Sequence, residues 1–361
     1  MSDYSLYFHI PFCSKKCPYC HFYVIPNQRR YHETLKAALL LEWEQKKPLI
    51  QNGNLISIYF CGGTPTLFGA EAIGEIIHRC SPTPHTEITV EANPEESSFE
   101  LFSSLKKVGV NRISLGVQSL DDRSLQTLER THSAAKAKEA ILAANQAGIE
   151  NISIDLMYDL PGQTESSWIY TLDQLKTLPI QHLSLYNLTV EPHTAFHKRK
   201  VVQPKPEESL RFLHLALTAL EELGLERYEI SAFAKPGYHS KHNLGYWTYR
   251  PFLGLGPSAF SYWEGERFQN APNLQRYANA LKNQQSPISF TEKLRYPHNI
   301  KEQIAVQLRL KEGLLLPSIP PETQKAIESL QEQGFLEIEM PRIRLTERGK
   351  LFYDHVASEI I

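Results

Sequence analysis

Short apolar segments alternate with longer amphipathic segments over the first half of the chain. The apolar segments are rich in Ile, Val, Tyr and Phe and predict β-strands, while the intervening segments repeat their apolar residues at helical spacing. The predicted strands are Leu6–Ile10, Ile56–Phe60, Ile88–Glu91, Arg112–Val117, Ile152–Leu156 and Leu183–Asn187. The predicted helices are Arg30–Gln45, Ala70–Arg79, Phe99–Val108, Ser133–Ala147 and Glu165–Leu178. This alternation is typical of βαβ units and a parallel sheet.

These units are fewer than the eight of a closed βα barrel. We therefore predict an α/β fold built on a partial (β/α)6 barrel. A helix over Pro206–Leu223 and a strand near Tyr228–Ser231 are expected to complete a core domain of residues 1–233.

Two further regions follow this predicted core. Residues 234–290 are rich in Gly, Pro, Asn and aromatic residues, which predicts a loop-rich segment packed over a surface. Residues 291–361 predict the helix Pro321–Gln333, a stop at Gly334, and the strands Phe335–Glu339 and Ile343–Thr346 around a turn at Met340 and Pro341. This order of elements is that of a small winged-helix-like α+β module.

The charge balance argues against a protein that binds polyanions. The chain has 38 Lys and Arg against 40 Asp and Glu, and residues 291–361 have ten basic and eleven acidic residues. Neither charge balance produces the positive field that would attract nucleic acid or an anionic membrane. The longest aliphatic run, Ala37–Leu41, is too short to span a membrane, and Met1–Phe12 has no signal-peptide pattern. We expect a cytoplasmic protein without a membrane segment and without a nucleic-acid partner.

Three of the five cysteines lie within eight residues, at Cys13, Cys17 and Cys20. In a reducing compartment such a cluster indicates metal binding and not a disulfide framework. A tetrahedral zinc ion would need a fourth ligand, for which His9 and His21 are the candidates. An iron–sulfur cluster held by three cysteines, with one iron left open, needs no further protein ligand, and we favour it. Cys61 and Cys80 are not assigned as ligands.

The segment YFHIPFC at residues 7–13, followed by this cysteine spacing, resembles the radical S-adenosylmethionine (SAM) superfamily. It is most similar to the branch that contains the oxygen-independent coproporphyrinogen III oxidases and their paralogues, the HemW haem chaperones. The similarity covers about residues 4–260 in ordered motifs. It implies a 4Fe-4S cluster on Cys13, Cys17 and Cys20, with SAM bound to the open iron through its amino and carboxylate groups.

Polar residues recur where the predicted strands end, which supports this resemblance independently. The turn CGGTPT follows Phe60, Glu91 ends the third strand, Gln118 follows the fourth and Asp155 lies at the end of the fifth. The carboxyl ends of parallel strands meet at one edge of the sheet, so we expect these groups to line one pocket.

The resemblance assigns SAM contacts to individual residues. It implies that Gly62, Gly63 and Thr64 meet the methionine amino end, and that Glu91 accepts hydrogen bonds from the ribose hydroxyls. Further nucleotide-contacting positions match Tyr7, Tyr19, Gln118, Arg130, Asp155 and Thr189. Taken singly, Arg130 or Asp155 could instead be a surface polar group or a helix cap.

The resemblance leaves two functions open. The oxidases cleave SAM to a radical that abstracts hydrogen from a propionate side chain, which leads to oxidative decarboxylation. The chaperones hold haem and pass it to an acceptor protein. In this chain Phe22 stands where the oxidases have a further cysteine, and only twelve residues precede Cys13, where the oxidases have a longer segment. We therefore expect a haem chaperone that delivers haem to an acceptor such as a respiratory haem protein, and we assign no catalytic residue.

The segment HNLGYW at residues 242–247 resembles the HNxxYW motif of the HemW group. The imidazole of His242 can ligate haem iron, and Tyr246 and Trp247 can pack on the porphyrin. Asn243 completes the motif. The alternative is that this aromatic segment packs over the barrel and that His242 is only hydrogen-bonded.

Overall fold

The computed structural model describes residues 3–50, 53–315 and 319–361. Its strands are β1 Asp3–Ile10, β2 Phe12–Cys13, β3 Ile25–Pro26, β4 Asn54–Gly62, β5 Glu87–Ala92, β6 Arg112–Gln118, β7 Asn151–Tyr158, β8 His182–Asn187, β9 Glu226–Arg227, β10 Ala232–Ala234, β11 Phe252–Leu255, β12 Phe260–Trp263, β13 Glu266–Asn270, β14 Ile288–Glu292, β15 Leu314–Leu315, β16 Leu336–Glu339 and β17 Arg342–Leu345. The six strands predicted for the core are all confirmed.

The helices of the described residues alternate with these strands as predicted. They are α1 Arg29–Lys46, α2 Ala70–Cys80, α3 Phe99–Lys107, α4 Asp122–Thr127, α5 Ala134–Gln146, α6 Glu165–Gln174, α7 Ala195–Lys198, α8 Pro206–Glu222, α9 Lys241–Trp247, α10 Leu274–Lys282, α11 His298–Gln307, α12 Pro321–Glu332, α13 Glu347–Leu351 and α14 Tyr353–Ile360. In the described ranges, none of them has the length and apolar character that crossing a membrane requires.

Seven parallel strands form the centre of one large sheet, in the order β11-β1-β4-β5-β6-β7-β8. Antiparallel strands extend it on both sides, with β12 to β14 beyond β11 and with β10 and β9 beyond β8. Among the residues described, the sheet ends at β14 and β9, so the barrel is partial. The predicted α/β class is confirmed.

The two faces of this sheet differ in polarity because side chains alternate along each strand. In β6, Ile113, Leu115 and Val117 are fully buried in a core that they share with apolar residues of α2, α3 and α5. Arg112 and Ser114 point to the opposite face, which forms the interior of the partial barrel. The helices therefore cover the apolar face, and the polar face is left to line the site.

The strand predicted near Tyr228–Ser231 is wrong in position. These residues connect the short strands β9 and β10. The Tyr228 N–H donates to the Ala232 carbonyl over 3.1 Å and Glu229 forms a single isolated bridge with Leu310, while side chains satisfy other backbone groups. The Glu229 carboxylate accepts the N–H of Ser231 over 2.9 Å, and the Arg227 guanidinium donates to the carbonyl of Ile230. Backbone groups that bond to nearby side chains do not pair in a ladder.

The segment 234–290 contains more regular structure than its composition predicts, namely α9, α10 and the strands β11 to β13, with β14 beginning near its end. A buried polar network fixes it to α1. The carboxylate of Glu42 accepts bonds from Gly256 N–H over 2.8 Å and from Asn270 Nδ2 over 2.7 Å, and it pairs with Lys46 over 2.7 Å. Its short strands lie between glycine turns, so no hydrophobic period is long enough to be recognised in the sequence.

The C-terminal residues form a small module with its own apolar core. It contains α11 to α14 and a three-stranded sheet of order β15-β17-β16, in which the predicted helix and both predicted strands are confirmed. The Arg309 guanidinium joins this module to the barrel: it pairs with Glu229 over 3.2 Å and lies over the rings of Trp247 and Tyr353.

Candidate functional site

The three clustered cysteines lie on a loop between β1 and β3, which we call the cysteine loop (residues 13–24). Parallel pairing of β2 with β3 holds its ends together, and the Ile25 N–H donates to the Pro11 carbonyl over 2.7 Å. Inside the loop, the Cys20 N–H donates to the Cys17 carbonyl over 3.1 Å. All three cysteines are half-buried and free of disulfides. One short loop thus presents three thiols at the C-terminal end of β1.

The turn of residues 62–66 at the end of β4, which we call the glycine turn, bonds to the backbone that leads into the cysteine loop. The N–H groups of Gly63 and Thr64 donate to the carbonyls of Ile10 and Phe12 over 2.8 and 2.6 Å. A Cβ atom on Gly63 would lie 2.4 Å from the Phe12 carbonyl oxygen, so only glycine fits there. Because these N–H groups are engaged, the groups that the turn can offer to a ligand are carbonyl oxygens. Such acceptors suit the N–H donors of an amino group.

Two of the cysteine sulfurs receive hydrogen bonds from side chains at neighbouring strand ends. The Thr64 hydroxyl lies 3.8 Å from Cys13 Sγ, and Arg130 Nη1 lies 3.3 Å from Cys17 Sγ. Asn93 connects the two donors, because its Nδ2 donates to Thr64 Oγ1 over 2.8 Å and its Oδ1 accepts from Arg130 Nη2 over 2.7 Å. Asn93 was not among the site residues predicted from the sequence. Its position directly after β5, two residues beyond Glu91, was the available signal.

Two carboxylates predicted at strand ends, Glu91 and Asp155, face the barrel interior. The prediction is wrong in position for Asp155, because β7 runs on to Tyr158 and leaves Asp155 in its middle. Tyr59 donates a hydrogen bond to Glu91 over 3.1 Å. Burial, together with the nearby Asp155, raises the pKa of Glu91 to about 7. Burial also raises the pKa of Asp155 to about 6, and hydrogen bonding to Ser184 opposes that rise. The interior therefore holds two acidic groups that titrate near neutral pH.

The other predicted SAM contacts are spread along the same end of the barrel. Tyr19 is half-buried in the cysteine loop, and Gln118 ends β6 with a φ of +65°. Thr189 is exposed two residues after β8. Tyr7 lies deeper, in the middle of β1, where its hydroxyl is 3.0 Å from His9 Nδ1. Apart from Tyr7, these residues lie at the same end of the sheet as the cysteine loop.

The HNLGYW segment lies at the other end of the strands, in α9. His242 is 1% exposed, and both of its ring nitrogens are engaged: Nδ1 is 2.9 Å from Ser57 Oγ and Nε2 is 2.9 Å from the Tyr246 hydroxyl. Its backbone N–H donates to the Glu87 carboxylate at the start of β5 over 3.0 Å. Burial lowers the pKa of His242 to about 3, so the ring is neutral.

The two remaining residues of this segment face different surroundings. Asn243 is half-buried in the first turn of α9, where its N–H donates to the Ser240 hydroxyl. The Arg309 guanidinium lies 4.3 Å from the ring centroid of Trp247. The structure therefore anchors α9 near the start of the strands, but the imidazole of His242 reaches the predicted SAM residues. Its ring centroid lies 6.5 Å from that of Tyr7 and 4.8 Å from that of Tyr59, which bonds to Glu91.

The donor set of the cysteine loop fits an iron–sulfur cluster. A cuboidal cluster takes each thiolate on a different iron, which suits three thiols spread around one loop. Within residues 3–50, 53–315 and 319–361, no three His, Cys, Asp or Glu side chains are gathered closely enough to hold a single metal ion. Cys61, by contrast, lies on β4 inside the barrel.

Comparison with known proteins assigns the family. Residues 7–175 match the Radical SAM superfamily. Over 380 aligned residues the chain is 32% identical to the heme chaperone HemW of Bacillus subtilis. The alignment covers 98% of this chain and 97% of that protein. The chain belongs to the HemW family. The HemW proteins of Haemophilus influenzae and Escherichia coli are 39% and 36% identical to it, and each alignment covers 71% of this chain and 69% of the relative.

The fold of this HemW family member is also that of a solved structure. Coproporphyrinogen III oxidase (HemN) from Escherichia coli, a radical SAM enzyme, superposes with a TM-score of 0.86 over 99% of this chain and 90% of that one, at 23% identity. The resemblance to the radical SAM superfamily, drawn from residues 7–20, is confirmed, and so is the resemblance to its HemW branch, for which Phe22 and residues 242–247 also argued.

Proposed function

We propose that this HemW family member is a haem chaperone that binds a 4Fe-4S cluster, SAM and haem and transfers the haem to an acceptor protein. The observation that carries the proposal is the 32% identity to a heme chaperone HemW over 98% of the chain, which includes both the cysteine loop and α9. Phe22, in place of the further cysteine of the oxidase pattern, agrees with it.

In this proposal Cys13, Cys17 and Cys20 hold the cluster. When bound, the cluster supplies an iron with an open position for the amino and carboxylate groups of SAM. The carbonyls of the glycine turn accept hydrogen bonds from the amino group, since the turn's N–H groups at Gly63 and Thr64 are already engaged. The cysteine loop and the glycine turn thus bind the same amino-acid end of the methionine moiety.

The nucleoside of SAM then extends along the strand ends. Glu91 lies one residue before the end of β5, where a carboxylate can accept both ribose hydroxyls. Tyr7, Tyr19, Gln118, Arg130, Asp155 and Thr189 are the further contacts proposed there. Arg130 has a 6% exposed side chain and already bonds to Cys17, so it adjoins both the cluster and its ligand.

For haem we propose the α9 residues His242, Asn243, Tyr246 and Trp247. The structure sets a requirement for this site: Nε2 of His242 must leave the Tyr246 hydroxyl before it can ligate iron. A neutral imidazole is the form that binds a metal, and His242 is held in that form by burial. Haem binding therefore requires a movement of α9 but no loss of a proton from His242.

A reconstituted sample tests the proposal against the oxidase alternative. The full chain, loaded anaerobically with iron and sulfide, is incubated with SAM, a reductant and coproporphyrinogen III, and in parallel with haem and an apo-form respiratory haem protein. We expect no decarboxylated product, and we expect haem to move to the acceptor. Substantial decarboxylation would establish the oxidase function instead.

The raised pKa of Glu91 gives SAM binding a pH dependence. The ionised carboxylate accepts both ribose hydroxyls, whereas the protonated form gives up an acceptor. Because the pKa is about 7, SAM affinity should fall several-fold as the pH is lowered from 8 to 6. Calorimetry on the reconstituted protein measures this.

Glu91→Gln and Glu100→Gln separate this effect from general changes of charge. Glu91→Gln should bind SAM weakly at pH 8 and should lose the step near pH 7, leaving only the smaller step that Asp155 gives near pH 6. Glu100 is exposed on α3, so its variant should follow the wild type. A Glu91→Gln protein with wild-type SAM affinity at pH 8 would remove Glu91 from the site.

A further inference from the structure

The side chain of Asn93 has only one possible orientation, and that orientation sets the direction of the hydrogen bonds around the cysteine loop. Arginine has donors and no acceptor, so the Asn93 atom 2.7 Å from Arg130 Nη2 must be the amide oxygen. The amide nitrogen then faces Thr64 Oγ1 at 2.8 Å and donates to it. Because the Thr64 hydroxyl accepts this bond, its own proton is free to point at Cys13 Sγ, 3.8 Å away.

Arg130 is fixed by the same contacts. Its Nη2 donates to Asn93 and to the Gly116 carbonyl over 3.0 Å, and its Nη1 donates to Cys17 Sγ over 3.3 Å. The backbone of Asn93 is held as well, since its carbonyl accepts the Ser97 hydroxyl over 2.8 Å. Asn93 therefore stands on a fixed turn and contacts both side chains that donate to cysteine sulfurs.

We propose that Asn93 is a positioning residue that aims these two donors at the cluster cysteines and thereby raises the reduction potential of the cluster. The inference rests on the proposed function, which places a 4Fe-4S cluster on the cysteine loop. Hydrogen bonds to thiolate ligands withdraw negative charge from the cluster, and reduction adds negative charge. Donors at the sulfurs consequently stabilise the reduced form more than the oxidised form.

Asn93→Asp is a nearly isosteric test, because aspartate still accepts from Arg130. Its second carboxylate oxygen can only accept at neutral pH, so the Thr64 hydroxyl must turn its proton toward Asp and away from Cys13. The substitution also adds a negative charge beside the cluster. Both changes disfavour reduction. The added charge acts on the potential by itself, so the pair at Thr64, which changes no charge, isolates the hydrogen bond. With a purely structural role for this network, Thr64→Val and Thr64→Ser would have equal potentials.

The measurement is the midpoint potential of the reconstituted full chain, followed by the electron paramagnetic resonance signal of the reduced cluster, with iron and sulfide counted per chain. We expect reduction to be at least tenfold less favourable in Asn93→Asp, a shift of about 59 mV to more negative potential for one electron. Thr64→Val should shift it in the same direction, and Thr64→Ser, which keeps the hydroxyl, should not. Asn145→Asp, an exposed matched substitution near the end of α5, should match the wild type.

The outcomes distinguish this inference from the function on which it rests. A wild-type potential in Asn93→Asp at full cluster content overturns the inference and leaves the proposed function standing. If Asn93→Asp takes up no cluster, Thr64→Val and Thr64→Ser are compared instead. Equal potentials in these two variants overturn the inference. A wild-type chain that binds no cluster overturns both.

Discussion

Replacement of Cys13, Cys17 or Cys20 with Ala is expected to abolish the iron–sulfur cluster, whereas Cys61→Ala should retain it. The three cysteines share one loop whose ends are fixed by β2 and β3, so each is in place to hold a different iron. A cluster with an open iron cannot lose a further ligand and stay bound. The loss in each of the three variants should therefore be complete.

Cys61 differs from these three in its surroundings. It lies on β4 with its thiol inside the barrel, where burial and then the Glu91 carboxylate raise its pKa well above the ordinary value. Burial likewise raises the pKa of Cys80, on α2. Burial raises the pKa of Cys13 as well, so position and not pKa separates the ligands: Cys61 and Cys80 both lie outside the cysteine loop.

Anaerobic reconstitution followed by iron and sulfide analysis measures the result, and the visible spectrum confirms that the bound iron is a cluster. Circular dichroism shows whether each variant retains its fold. Equal loss of the cluster in Cys61→Ala, with the fold intact, would show that the cysteine loop is not the whole ligand set.

The core of the fold could be predicted from the sequence because each βαβ unit repeats two different hydrophobic periods. Strands such as β6 bury Ile113, Leu115 and Val117 on one face and helices follow at regular intervals, so both the elements and their parallel order are fixed by local pattern. The pattern fails at residues 228–231. There the side chains of Arg227 and Glu229 bond to nearby backbone, and the backbone of Glu229 bridges to the distant Leu310. No hydrophobic period reveals these contacts.

The candidate SAM site was predictable for a topological reason. Parallel strands end at one edge, so polar residues at strand ends such as Glu91 and Gln118 meet whatever the intervening helices are. Asp155 faces the same interior from the middle of β7, because that strand runs on to Tyr158. Asn93 was not predictable in the same way. An Asn after a strand is ordinary in turns, and its importance depends on contacts with Thr64 and Arg130, which are distant in sequence.

The α9 segment shows what a motif leaves undetermined. The spacing of His242 and Tyr246 places both on one face of a helix, but it does not show that they bond to each other or that Ser57 takes the other ring nitrogen. The Arg309 guanidinium on Trp247 comes from the C-terminal module, 62 positions along the chain, and is equally invisible in the sequence. A motif can therefore indicate a haem ligand without showing whether that side chain is buried and already hydrogen-bonded.

Haem binding is expected to change sharply in variants of α9. His242→Gln removes the proposed axial nitrogen while keeping a hydrogen-bonding side chain, so the Soret band should shift and affinity should fall at least tenfold. Trp247→Ala should weaken retention by about tenfold or more, since burial of an aromatic side chain contributes ~1.5–3 kcal/mol. Tyr246→Phe should act in the opposite direction. It frees Nε2 of a bond worth ~0.5–1.5 kcal/mol, so haem should bind two- to tenfold more tightly.

A second buried histidine provides the matched control. His182 also engages both ring nitrogens, with Ser153 Oγ and the Tyr228 hydroxyl each at 2.8 Å, but it lies on β8 outside the motif. His182→Gln should therefore lower the melting temperature about as much as His242→Gln does and leave the Soret band unchanged. If both glutamine variants keep the wild-type Soret band, or if Tyr246→Phe weakens haem binding in a folded protein, His242 is a packing residue and the axial ligand lies elsewhere.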